Sequence, residues 1–576
     1  MTYNMASITK KIIRGKPYYY ARECKRVNGK PKIVWQQYLG RPEDIIEAMA
    51  GRREERPAIP TPQEAIVTDF GAVAALYDLA QRLSLVEHID RHVPKQGSGP
   101  SVGTYLLVAI LNRCVAPCSK ASIGTWFQGT MLRRLVDIET RQLTSQRYWD
   151  NMDRVSTEAI QAIERDITQQ MVRDFDIDLE RVLFDATNFF TFIDTFNHRS
   201  TLAQRGKGKE GRSALRIVGL ALLVSADFHV PLLHHTYPGN QTDAPTFASL
   251  TSALADRCRE VSDTVEHITI VFDKGNNSRD NLDAIEDTTF HFVGSLVPTQ
   301  HKDLLEIPRE SFQSLAHEGL PSVSAHRCTR TVFGQRRTVL VTFNENLFVA
   351  QSKTLLREIG KRLQRFRDLV ARLDRRRRGE IRGGQPPTVE STRKKINGWL
   401  KARHMKDLFD VEVAEHEGLP AVTYQFNQRA WEHLQDTLLG TNILFTDNDD
   451  WTNAEIVRGY RAQHHVETAF RRMKDPHHIC LRPQHHWTDQ KIEVHVFCCV
   501  LALMLCSLLR RELHRSGIDR SIPDLLDELD KIREVAVIYP PADPKSAPTI
   551  HWTLSAMSND QRALYDAMAL QRYRSR

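Results

Sequence analysis

Between Val182 and Phe272 the chain alternates short apolar runs with turns, and this pattern limits the fold more than anything else in its 576 residues. Val182-Leu183-Phe184 is the first run. Ile217 to Val224 and Val230 to Tyr237 are the next two, separated by a turn at Asp227-Phe228-His229. Runs this short, rich in β-branched and aromatic residues, predict strands. The fourth, Ile268-Thr269-Ile270-Val271-Phe272, is continuous, as in a strand covered on both faces. A helix is expected before it, from Ala244 to Cys258. Three pairing strands, a helix and a further buried strand predict an α/β domain.

The length implies about three to five domains, at roughly 100 to 200 residues each. With 41% apolar and 26% charged residues there is material for real cores. Residues 1–57 are expected to form a basic β-hairpin module, because aromatic and basic side chains alternate on both sides of Asn28-Gly29, a pair that favours hairpin turns. Pro57, Pro60 and Pro62 mark a linker within 41–64. Residues 65–178 read as a helical domain, where Ser156 is placed to cap a helix whose Ile160, Ile163, Ile167 and Met171 recur at three and four residues. Residues 179–297 and 442–512 make up the α/β core, 298–441 an insertion domain, and 513–576 a C-terminal region.

The insertion carries a basic helix in which Leu356, Ile359, Leu363, Phe366, Val370 and Leu373 form one apolar stripe. Arg375-Arg376-Arg377-Arg378 and Gly379 end it. From Lys353 to Lys406 there are 18 Lys or Arg against 5 Asp or Glu, whereas the whole chain carries only +8, so the remainder is slightly acidic. That concentration favours a polyanionic partner. A long helix is expected over Asn453 to Met473. The apolar run Val496 to Leu509 is 14 residues, short of the ~20 that a membrane span needs, and predicts a buried core helix. No secretory signal opens the sequence and nine cysteines are thinly spread, so a reducing cytosol is the expected compartment and a membrane is not an expected partner.

Asp185 follows Val182-Leu183-Phe184 and Asp273 follows the Ile268 run, so each carboxylate ends a buried strand. If the strands are parallel neighbours, their ends bring two hard oxygen ligands within reach of one Mg²⁺. Taken singly, either aspartate is as readily a turn former or a helix cap. The third acid is Glu467. At ~100° per residue Tyr460, Gln463, Glu467 and Lys474 share one helix face, although a solvated amphipathic helix also lines up such groups. His464-His465, His477-His478, Cys480, His485-His486 and His495 lie close in sequence without the paired cysteines of a structural zinc site, and the histidines read as hydrogen-bonding or phosphate-contacting side chains.

These residues together resemble the Y-x-x-R-x-x-x-E-x-x-x-x-x-x-K signature of DDE-type bacterial insertion-sequence transposases, the IS-four-like group. Tyr460, Glu467 and Lys474 match, and Gln463 stands where Arg is usual. Leu183-Phe184-Asp185-Ala186-Thr187-Asn188 is similar to that family's first-aspartate motif, with Ala186 where Thr is common, and Val271-Phe272-Asp273-Lys274-Gly275 to its second. Tyr237-Pro238-Gly239-Asn240-Gln241-Thr242-Asp243, Phe292-Val293-Gly294-Ser295-Leu296, and Arg482-Pro483 through His486-Trp487 to His495-Val496-Phe497 resemble the segments between and after the acids. The resemblance spans about residues 180 to 510.

It implies a ribonuclease-H-like catalytic core with a β-rich insertion domain, preceded by the small β module and the helical domain. Asp185, Asp273 and Glu467 would be the catalytic metal ligands, holding two Mg²⁺ ions, with Mn²⁺ able to substitute and Asp185 bridging. The implied reaction is hydrolysis at the element's end, followed by attack of the freed 3′-OH on target DNA. Tyr460, Gln463, Arg471 and Lys474 would lie along the DNA backbone, with Arg461 or Arg471 making any charged contact that Gln463 cannot. Arg375, Arg376, Arg377, Arg378, Lys394 and Lys395 would hold phosphates by counterion release. The implied partners are double-stranded DNA, as element ends and target, and a second copy of the chain. The N-terminal module and helical domain would read the terminal inverted repeats. The rival readings are a ribonuclease-H-fold endonuclease that cleaves without joining, and a catalytically silent DNA-binding regulator.

Overall fold

The computed structural model describes residues 5–27, 30–51, 61–95, 97–194, 196–206, 208, 215–241, 268–288, 290–481, 485–541 and 546–575. The chain divides into two compact units, one of residues 1–67 and 535–554, the other of 68–534 and 555–575. The helix expected from Ala244 to Cys258, the turn residues Asn28 and Gly29, Thr242-Asp243, Pro57, Pro60 and Arg482-Pro483 lie outside the described residues.

In the first unit, Met5–Ile13, Lys16–Val27 and Lys30–Gly40 form a three-stranded antiparallel sheet in sequence order. The hairpin expected around position 28 is thus the second of two. The stretch expected to be linker opens with a helix, Pro42–Gly51. Proline suits a first helical position, and the Asp44 carboxylate accepts from the Arg41 N–H at 2.8 Å. The unit also takes in 535–554, from the region expected to form a separate C-terminal piece.

The second unit is a mixed α/β structure around a ten-stranded sheet. Its strands are β1 (Arg181–Phe190), β2 (Arg216–Ser225), β3 (Pro231–Pro238), β4 (Thr269–Val271), β5 (His291–Leu296), β6 (Val323–Val332), β7 (Gln335–Asn344) and β8 (Thr441–Thr446). Two two-residue strands, Gln204–Arg205 and Gln313–Ser314, complete it. From β6 the order runs β6-β7-β8-β5-β4-β1-β2, with β3 also paired to β2. β1, β2 and β3 are successive antiparallel neighbours, and β4 and β5 run parallel to β1. Each of the four apolar runs between Val182 and Phe272 therefore forms a strand. The turn between β2 and β3 places Phe228 and His229 at φ of 57° and 58°. Gly219 on β2 faces Tyr237 on β3, whose ring lies so close that a Cβ there would sit 2.2 Å from it.

Strands β6 and β7 fall within the expected insertion, yet they extend the central sheet. They do so because β8, from beyond the insertion, pairs antiparallel with both β7 and β5. What projects from the sheet is residues 345–440, which are mainly helical with one hairpin, Phe409–His416 and Leu419–Phe426, and so are not β-rich. Its backbone is α1 (Glu345–Arg377), where the Asn344 side chain caps the N-terminus by accepting from the Asn346 and Leu347 N–H groups. Gly379, at φ +74°, turns the chain out of the helix after Arg378. The buried stripe of α1 is Leu355, Ile359, Phe366, Leu369 and Leu373, and it packs with Ile396, Met405, Trp431 and the hairpin's Phe409. Leu356, expected in the stripe, is 53% exposed. Phe366 lies eleven residues after Leu355 and ten after Leu356, which at ~100° per residue puts Leu355 about 20° and Leu356 about 80° off its face.

The apolar run near the C-terminus is the core of one long helix, Asp489–Arg515, which is long and apolar enough to cross a membrane but is buried almost throughout its most apolar stretch. It packs against β3 and against Gly71–Arg82, Val102–Val115 and Thr157–Phe175 of the helical domain.

Candidate active site

The parallel pairing of β1, β4 and β5 fixes the site. Leu183, Val271 and Val293 are mutual partners across the three strands. Two residues further along each chain stand Asp185, Asp273 and Ser295, so these three side chains lie level and on one face of the sheet. Adjacent strands are ~4.8 Å apart. Asp185 and Asp273 are each half-buried, behind Phe184 and Phe272, which are 3% and 0% exposed. Each aspartate anchors itself locally, Asp185 Oδ1 accepting from the Ala186 N–H and Asp273 Oδ1 from the Lys274 N–H, both at 2.8 Å.

The helix expected over Asn453 to Met473 is two helices, α2 (Asn453–Arg461) and α3 (His464–Met473). At the junction the Ala462 N–H is shared between the Arg458 and Gly459 carbonyls, and the Gln463 N–H reaches only to Tyr460, so the ladder tightens and stops. Tyr460 and Gln463 therefore do not share an unbroken helix face with Glu467 and Lys474. Gln463 sits half-buried at the break.

From α2, the Tyr460 hydroxyl donates to Ser295 Oγ at 2.8 Å. Burial first, and then a hydrogen bond and charge from Asp273 and the charge of Glu467, push the phenol's pKa up to about 12 against the opposing pull of Ser295. The phenol thus touches Ser295 and feels the charges of Asp273 and Glu467. α3 packs against β1 and β2. Glu467, in its first turn, is exposed, and Lys474 follows seven residues later on the same side of the helix. The Lys474 ammonium donates to Thr187 Oγ1 at 2.9 Å, two residues beyond Asp185 on β1.

Asp185 and Asp273 are brought level by the sheet, and Glu467 is carried on α3, which packs against β1 and β2. Among the described residues no three His, Cys, Asp or Glu side chains are gathered closely enough to hold a metal ion in common. The donor set suits a hard divalent cation, because it offers carboxylates and hydroxyls with no thiolate or imidazole among them. Beside Ser295 and Tyr460 opens a cavity of about 460 Å³, with Lys274 on the core side and Gln351, Glu358, Arg403 and His404 of residues 345–440 on the other.

Ser295 and Thr187 stand inside segments quoted from the sequence but had no role assigned there; strand parity, which puts Thr187 on the face of Asp185, was the available signal. The other basic residues lie elsewhere. Arg471 is exposed and donates to Thr468 Oγ1 at 3.3 Å. In the arginine run, Arg375 and Arg378 bind Glu380, Arg376 binds the Gly384 carbonyl, and Arg377 binds Asp374 and the Pro420 carbonyl. Lys394 and Lys395 are exposed, with the Lys395 ammonium 5.4 Å from the centre of the Trp399 ring. Three of the described histidines make side-chain hydrogen bonds: His478 with the Cys114 carbonyl, His495 with the Leu481 carbonyl, and His486 with the Lys120 ammonium at 2.7 Å.

Residues 180–505, more than half of the chain, match the family described as "Transposase DDE domain". The chain belongs to the DDE transposase family. It is accordingly a transposase-family enzyme, and Asp185, Asp273 and Glu467 all lie inside the matched span of its transposase domain. No curated protein matches the sequence. Among solved structures, the chain is similar to a piggyBac transposase, determined by cryo-EM as a synaptic complex with hairpin DNA, at 9% identity and a TM-score of 0.34 over 81% of this chain and 82% of that one.

Proposed function

We propose that this enzyme is the transposase of an insertion sequence of the IS-four-like group, which binds the element's terminal inverted repeats, cleaves the DNA there and joins the freed end to a target. The observation that carries the reading is the level placement of Asp185 and Asp273 on neighbouring parallel strands, with Tyr460 in contact with Ser295 and coupled to both Asp273 and Glu467. The order of β1 to β5 also supports a ribonuclease-H-like core, since three antiparallel strands are followed by two parallel to the first.

Asp185, Asp273 and Glu467 would hold two Mg²⁺ ions, or Mn²⁺ in their place, and ions bound there supply the Lewis acidity that offsets charge on the attacking and leaving oxygens. Tyr460 stays protonated at neutral pH and so keeps its O–H on Ser295 Oγ, beside the charge of Asp273. Lys474, anchored on Thr187, keeps a positive charge beside Asp185 where a scissile strand's phosphate would pass. Gln463 offers hydrogen bonds without charge, and the exposed Arg471 supplies charge on the same helix. Lys394, Lys395 and the arginine run from Arg375 to Arg378 add non-specific hold on the duplex. Two copies of the chain, each on one element end, would complete the complex.

The test is nicking of a labelled element end in Mg²⁺ or Mn²⁺ by the wild type and by alanine variants at Asp185, Asp273 and Glu467, followed by strand transfer with a pre-cleaved end. Nicking lost in all three variants, with joining by the wild type, is the expected result. Wild-type nicking by any one variant refutes the triad, and nicking without joining leaves an endonuclease. Normal end binding without any nicking by the wild type leaves a regulator.

A further inference from the structure

A second cleft lies on the other side of α3 from the carboxylates. Thr468 and Arg472 follow Glu467 by one and five residues, which at ~100° per residue turns them about 100° and 140° away from it. With Arg510 and Arg520 they line a cavity of about 380 Å³. Three guanidiniums thus meet at one opening, and Asp519 is the single carboxylate among the lining residues.

The pairing of these arginines is incomplete. Arg472 is half-buried, and its side chain makes no hydrogen bond or ion pair among the described residues. Burial and the neighbouring charges of Arg471 and Arg510 lower its pKa, while Asp475 and Asp524 oppose them. The Arg510 Nε is buried without a hydrogen-bond partner, and Asp519, 3.8 Å from the same guanidinium, is itself 72% exposed. Arg520 is the exception, paired with Asp560. Guanidinium N–H groups withdrawn from water and left unpaired are costly, and a phosphate's oxygens match their fork in pairs.

We propose that the cleft of Arg472, Arg510 and Arg520 seats a backbone phosphate of the bound DNA, outside the carboxylate site. The proposal rests on the transposase reading for the identity of the polyanion. Because α3 carries Glu467 on one side and Arg472 on the other, a phosphate seated there fixes the helix that presents the third acid. Free pyrophosphate offers the same oxyanion chemistry, so the experiment has an arm for it.

The full-length protein is titrated with a labelled duplex in EDTA at several salt concentrations. Each phosphate contact contributes about 0.9 to the slope of log affinity against log salt. The Arg472→Gln/Arg510→Gln variant is expected to lose about 1 to 2 of that slope, and Arg472→Lys/Arg510→Lys to keep it. Arg472→Gln alone breaks no side-chain hydrogen bond or ion pair among the described residues, so it is expected to keep the fold and to lose about 1. A wild-type slope in Arg472→Gln and in the double glutamine variant overturns the proposal. So does equal loss in the lysine and glutamine double variants. A thermal-shift titration with inorganic pyrophosphate forms the other arm: stabilisation of the wild type but not of the glutamine variants, with unchanged DNA slopes, assigns the cleft to a free phosphate and overturns the DNA assignment. Binding in EDTA needs no catalysis, so failure of nicking and failure of the salt slope are read separately.

Discussion

Replacing Lys474 by methionine removes an ammonium held 2.9 Å from Thr187 Oγ1, beside the strand that carries Asp185. A hydrogen bond to a charged group is worth about 1.5 to 3 kcal/mol. If that interaction is transferred to a DNA phosphate in the transition state, Lys474→Met lowers kcat/KM by roughly 10- to 150-fold, at 1.36 kcal/mol per decade. Thr187 is 5% exposed, and the Thr187→Val variant keeps its shape while removing the anchor. Loss of positioning alone costs about 1 kcal/mol, or roughly 5-fold. The double variant should be no worse than Lys474→Met, because the valine change has nothing left to misplace. The assay is single-turnover nicking at subsaturating labelled duplex, which reads kcat/KM. Activity within twofold of wild type in Lys474→Met refutes the reasoning. So does a double variant whose loss equals the product of the two single losses.

Three further outcomes follow from individual contacts. Tyr460→Phe leaves Ser295 Oγ short of its donor and should cost about 1 to 3 kcal/mol in chemical denaturation, with most of that loss absent when Ser295→Ala is already in place. Phe366→Ala empties a position 0% exposed and stacked on Tyr424 at 4.9 Å; it should cost about 3 to 5 kcal/mol, seen as faster hydrogen exchange in residues 345–440. Burial pulls the Lys120 ammonium down to about 8 from the usual 10.5, so between those values the unfolded chain holds more protons and wild-type stability rises with pH. Lys120→Met should therefore gain up to about 3 kcal/mol below pH 8, less its lost contacts, and the gain should fade towards pH 10.5; a difference constant over that window in paired denaturation curves counts against it.

The strands that matter were legible because burial on both faces writes itself as an uninterrupted apolar run, as at Ile268 to Phe272. Asp273 follows such a run, but Asp185, expected to end its strand, stands in the middle of β1, and it is the parallel register of β1 and β4 that brings the two level. Which strand a buried strand pairs with is not written in its own sequence. Nothing in Arg337 to Phe343 says that it pairs with Thr441–Thr446 across about a hundred residues, so β6 and β7 were assigned to the insertion. The break at Ala462-Gln463 was hidden because every residue there is an acceptable helix former, and only the tightened hydrogen bonds reveal it. The stripe of α1 was read one residue off at Leu356, since a 3-4 spacing drifts ~20° per seven residues against a straight helix. Arg472, Arg510 and Arg520 come together only through the packing of three segments, which no local pattern records.

The central claim is that Asp185, Asp273 and Glu467 converge on one divalent-ion site when DNA is bound. Substituting Fe²⁺ for Mg²⁺ in the complex with an element end, then adding ascorbate and peroxide, generates hydroxyl radicals at the ion that cut the nearest backbone. Iron-dependent cuts at all three places, near 185, 273 and 467, suppressed together by excess Mg²⁺, are the expected result. Cuts near the two aspartates with none near 467, in a complex competent for nicking, would contradict the account.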